Sequence, residues 1–75
     1  MLYRIRFMDR LDRAVLTIDI EAADDDAAVE LCCAHCVGAE MPVELSESDR
    51  HVIRMTPVAA RVYLMNHHAR EHQRL

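Results

Sequence analysis

Hydrophobic and polar side chains alternate at the start of the chain: Tyr3, Ile5 and Phe7 fall on one side of an extended segment, Arg4 and Arg6 on the other. A period of two is the mark of a half-buried β-strand. It recurs from Ala14 to Glu21, where Ala14, Leu16, Ile18 and Ile20 alternate with Val15, Thr17, Asp19 and Glu21. The short charged segment from Asp9 to Asp12 predicts that the two strands form a hairpin. The period then changes. Asp24, Asp25 and Asp26 offer an N-cap and acidic charge for the positive end of a helix dipole. At 100° per residue Ala28, Val29, Cys32, Cys33 and Cys36 gather on one side, with Leu31 and His35 at the margin. Gly38, the only glycine, is placed for a left-handed C-terminal cap, so a helix is predicted from Asp25 to about Val37.

Two further strands are predicted, from Met41 to Leu45 and from Arg50 to Met55, joined by the polar turn Ser46, Glu47, Ser48, Asp49. Pro42 suits the start of a strand, where a missing N–H does least damage. Thr56 and Pro57 are a favoured N-cap and N1 pair, and Val58, Val62, Met65 and Ala69 make a stripe along the helix that they open. After Ala69 the chain turns polar, which predicts a frayed end. The order β-β-α-β-β-α points to the α+β class, with an antiparallel sheet of two hairpins and the helices on one face. One domain is expected, with residues 1–55 as a ββαββ core and residues 56–75 as a C-terminal helix.

Val43, Glu44 and Leu45, followed by Asp49, Arg50, Val52 and Arg54, resemble a hairpin of short bacterial proteins that have no assigned function. Those proteins commonly carry Val-Glu-Leu-Trp, a turn with Gly, and Arg-x-Val-x-Arg. The resemblance covers residues 1–55, with Ser46 in the Trp place and Ser48 in the Gly place. It implies a compact α+β fold and assigns no catalytic or binding residue.

Composition narrows the setting. In 75 residues, 52% of them hydrophobic, a folded core is expected but a small one, and a chain of this size is marginal unless something reinforces it. No apolar run approaches the length that a membrane-spanning helix needs. The net charge of −4, with acidic residues concentrated between Asp9 and Glu30, lacks the footprint of a general nucleic-acid binder. Three cysteines cannot all pair within one chain, and the charged opening residues do not read as a signal peptide, so a cytoplasmic setting with reduced thiols is expected.

Candidate chemistry is sparse. Cys32 and Cys36 stand one helical turn apart with His35 beside them, and His68 and His72 repeat the spacing on the last helix, so these five residues are the candidate metal ligands. The competing reading, which is favoured, makes the cysteines small apolar residues packed on the sheet and the histidines a solvated tail. The cysteines sit near a helix C-terminus, where the dipole disfavours a thiolate, so neither an enzyme nor a cofactor is expected. Period two places Arg4, Arg6, Arg50 and Arg54 on the outer face of the sheet, a candidate surface for an anion or a partner. Glu44, Thr17, Asp19 and Glu21 share that face, which allows a salt-laced surface instead. Nucleic acid is disfavoured there, because no aromatic side chain joins the arginines. Val58, Val62, Tyr63, Leu64 and Met65 are the candidate contacts of a homodimer. The functional expectation is a non-enzymatic dimerising module that binds another macromolecule, with a metal-binding or thiol-dependent regulator built on Cys32, His35 and Cys36 as the alternative.

Overall fold

The computed structural model describes residues 1–73, and their side chains as far as His67. The chain has the α+β fold expected, with elements in the order β1 (Leu2–Met8), β2 (Ala14–Glu21), α1 (Asp25–Ala39), β3 (Val43–Glu47), β4 (Arg50–Met55) and α2 (Pro57–Gln73). The four strands form one antiparallel sheet in the order β2-β1-β3-β4, so the two hairpins join through β1 and β3. Both central strands bury alternate side chains: Tyr3, Ile5 and Phe7 from β1, Val43 and Leu45 from β3. These meet Ala28, Cys32, Cys33 and Cys36 of α1 in a single core, which Ala60 of α2 completes. Leu45 lies between Ile5 and Ile53 in the register, at the centre of that core.

Local chemistry sets the element ends. Asp9 organises the first turn by accepting backbone N–H bonds from Leu11 and Arg13, each 2.9 Å. Asp24 is the N-cap of α1, its carboxylate accepting from Ala27 N at 2.9 Å. Thr56 opens α2 in the same way, its hydroxyl accepting from Ala59 N at 3.3 Å ahead of Pro57.

The C-terminal end of α1 differs from expectation. Gly38 is helical, and the left-handed cap falls at Glu40, with φ 54° and its N–H bonded to Val37 O. Glu40 stands in the position that glycine would otherwise favour, with its exposed carboxylate 3.0 Å from Arg61 of α2. Gly38 is therefore a helix-interior glycine with nothing within 4 Å of where a Cβ would stand. Gly38→Ala should stabilise the chain by about 0.5–1 kcal/mol, read as a higher urea midpoint at unchanged slope.

The second hairpin also departs from the expected boundaries. β3 begins at Val43 and runs through Ser46 and Glu47, leaving Ser48 and Asp49 as the turn, with Ser48 in the left-handed region at φ 51°. A bulge interrupts β3–β4 pairing between Leu45 and Ser46: Leu45 faces Ile53, but Ser46 faces His51, so Val52 is the extra residue.

The helix α2 lies on α1 with the opposite face from the one its stripe predicted. Ala60 is fully buried and Tyr63 and Leu64 pack against the core, whereas Val58, Val62 and Met65 are 69%, 52% and 69% exposed. The small side chain of Ala60 lets the two helix backbones approach, and a bulkier Val or Met in its place would hold them apart. Among the expected dimer contacts, Tyr63 and Leu64 therefore belong to the subunit's own core, and Val58, Val62 and Met65 to its surface.

Candidate functional site

The three cysteines occupy the inner side of α1, all fully buried and all free thiols. Cys36 donates its S–H to Met41 O at 3.1 Å and also lies 3.6 Å from Met55 O, tying the helix to the entry of β3 and the end of β4. Burial pushes the Cys32 thiol up to about 12, helped by the neighbouring Cys33 and Cys36, and the Cys33 thiol to about 11, helped by Cys36 and Glu30. Burial raises Cys36 as well, offset in part by the positive charge of Arg61. These are neutral, protonated thiols, the opposite of what a nucleophile or a thiolate ligand requires.

His35 does not join them. It is exposed at the margin of the buried face of α1, its ring edge-on to Phe7 with centroids 6.4 Å apart. The side chains of His68 and His72 lie outside the described residues. His67 stands 3.4 Å from Glu30 of α1 and stacks on Tyr63 at 6.0 Å. Among the described residues no group of three or more His, Cys, Asp or Glu side chains converges as a metal ion would need.

The arginines divide between two faces. On the outer face Arg4 pairs with Asp19 at 3.0 Å, and Arg54 with Glu44 at 3.3 Å and with Asp12 of the first turn. Arg6 stands between Thr17 and Glu44 in the register. Arg50 is not on that face: the extra residue Val52 shifts the alternation by one, so Arg50 and Arg54 point to opposite sides of the sheet. The four-arginine surface therefore does not assemble, and two of its outer members are already held by carboxylates.

Arg50 instead forms a cluster that strict alternation hid. Its guanidinium donates two bonds to the Asp25 carboxylate, 2.9 and 2.8 Å, and another to Glu47 at 2.7 Å. The Tyr3 hydroxyl donates to the same Asp25 oxygen at 2.7 Å. The first turn of α1 is thereby fastened to β1 and to the β3–β4 hairpin. Hydrogen bonds from Arg50 first, and from Tyr3 next, hold Asp25 down at about 2. Burial, with Asp25 beside it, pushes Tyr3 up to about 12, and the two carboxylates raise Arg50. The arrangement is a clasp in which one carboxylate, Asp25, is shared by Tyr3 and Arg50.

An open apolar groove lies between α1 and β2. The helix α1 lies over β3, β4 and β1, and β2 forms the sheet edge beyond it. Leu16 of β2 is 56% exposed although its cross-strand neighbour Phe7 is buried, and Leu31 of α1 is 41% exposed. Between them runs an open groove of about 340 Å³, floored by Phe7 and bounded by His35 and Gly38. Periodicity alone could not find it, because alternation in β2 shows which side chains share a face and not whether a helix covers them. No helix among the described residues is long and apolar enough to cross a membrane. Compared with known protein families, curated proteins and solved structures, the chain matches none.

Proposed function

We propose that the chain is a homodimerising module, non-catalytic and resident in a reducing compartment such as the cytoplasm, that acts by binding another protein. The observation that carries the reading is the open apolar surface: Leu16 and Leu31 on one side, Val58, Val62 and Met65 on the other, in a chain whose core is too small to waste such side chains. Three neutral, buried thiols support a reducing setting and count against the thiol- or metal-dependent alternative built on Cys32, His35 and Cys36. The resemblance of residues 1–55 to short bacterial proteins without an assigned function fits an accessory role.

Sedimentation equilibrium tests the first half of the proposal. A monomer–dimer equilibrium is expected across the micromolar range, with a thermal midpoint that falls on dilution because association stabilises the folded state. A monomer at hundreds of micromolar, with a concentration-independent midpoint, would remove self-association.

A further inference from the structure

We infer that the dimer of this chain forms by edge-to-edge pairing of β2 with its own copy, antiparallel and centred on Ile18, which joins the two sheets into one. The inference rests on the homodimer proposed above and specifies where and how the copies meet.

The backbone sets which groups are free. Met1 and Ala22 exchange both main-chain bonds, Met1 N to Ala22 O at 2.9 Å and Ala22 N to Met1 O at 3.0 Å. In an antiparallel ladder such exchanging pairs alternate with non-bonded ones, so Tyr3–Ile20, Ile5–Ile18 and Phe7–Leu16 are the next bonded pairs. The N–H and C=O groups of Thr17, Asp19 and Glu21 therefore point away from β1, along the free edge, as far as the bulge at Val15, where Phe7 faces Leu16 but Met8 faces Ala14.

Those groups select the register. A twofold axis at Ile18 sets Thr17 opposite Asp19 of the second copy, so the outward residues on both sides of the axis bond each other, and the bulged Val15 falls opposite Glu21 at the ends. An axis at Thr17 would set Glu21 opposite Arg13, whose N–H and C=O are already used by Asp9. Side chains agree with the first choice. On the helix side Ile18 meets its copy and Leu16 meets Ile20, closing a continuous apolar strip that adjoins Leu31. On the outer side the Thr17 hydroxyl faces the Asp19 carboxylate, whose charge Arg4 already balances.

The edge is only lightly protected against pairing. β2 carries no Pro, Lys or Arg, and its helix-side positions from Leu16 to Ile20 are all apolar; its bulge, at Val15, lies near the end of the strand, and its acidic residues are Asp19, paired with Arg4, and Glu21. The other edge strand, β4, has its bulge in mid-strand and carries two arginines. Eight residues of β2 extend about 27 Å, and the sheet layer, which α1 leaves uncovered there, is about 10 Å deep. The face is thus on the order of 300 Å² from each subunit, in the range of a weak, reversible interface.

The test uses the full chain. Thr17→Pro removes an outward donor at a position where an edge strand tolerates proline, and should weaken dimerisation at least a hundredfold with the circular dichroism spectrum retained. Ile18→Cys brings two new thiols together across the axis, about 4.5 Å apart at Cα, and should give a covalent dimer on mild oxidation while the native thiols stay buried. Wild-type chain that dimerises while Ile18→Cys fails to cross-link, or while folded Thr17→Pro dimerises normally, places the interface elsewhere and overturns the inference, leaving self-association standing. Loss of the dimer on Val62→Glu, with Thr17→Pro unaffected, would assign it to α2. Cross-linking of Thr17→Cys in place of Ile18→Cys overturns the register. Monomeric wild-type chain overturns both the inference and the homodimer.

Discussion

Replacing Leu45 by Ala is expected to lower the stability of the chain by about 2–5 kcal/mol. Leu45 is fully buried on the strand between Ile5 and Ile53, so neighbours on both sides are fixed in the ladder and cannot collapse into the space left behind. The lost side chain therefore costs both its transfer from water and most of its cavity. A domain of this size has about 5 kcal/mol or little more of stability, so at the upper end of that range about half of the variant would be unfolded at 25 °C. Urea denaturation at a fixed protein concentration measures it, since dimerisation would otherwise enter the midpoint. A shift below 1 kcal/mol would mean that the centre of the sheet is not close-packed.

The second large effect concerns the thiols. At pH 8 an ordinary cysteine is about one-tenth thiolate, whereas a thiol at about 12 is ionised about a thousandfold less. Burial also denies the reagent access to Cys32, Cys33 and Cys36. Alkylation of the native chain should therefore be slower than that of the chain in denaturant by about three orders of magnitude or more, with all three sites modified together once the core opens. Rapid modification of one cysteine in the native state would contradict the packing of α1. The same groups fix a pH dependence. Their folded pKa values stand above the unfolded value of about 9, so their contribution is complete below pH 9 and is lost as pH rises towards about 12. Alkaline unfolding should begin above pH 9, and Cys32→Ala should reduce its steepness.

Much of the fold is legible because its signals are local. Tyr3, Ile5 and Phe7 alternate without interruption, Asp24 caps the helix that follows it, and Thr56-Pro57 opens the next. The errors lie where a distant contact decides. Periodicity groups Val58, Val62 and Met65 on one side of α2, but a helix with apolar residues on two sides can bury either, and the fit of Ala60 against α1 selects the other. The extra residue Val52 is invisible to an alternation rule, yet it turns Arg50 to the helix side of the sheet and dissolves the expected arginine surface. Gly38 invited a cap that falls two residues later, at Glu40, beside Arg61 of α2. The exposed side of β2 depends on where α1 sits, which no window of neighbouring residues encodes.

The adjacency of β1 and β3 constrains how the polypeptide acquires its shape. Each hairpin alone has only one of the two central strands and neither can shelter α1, while the clasp between Asp25 and Arg50 spans twenty-five positions. Little native structure is therefore rewarded until the distant halves have met, so the chain orders in one cooperative step with a loop-closure barrier. A break in the backbone near Met41 would leave two fragments that gain order only by recombining.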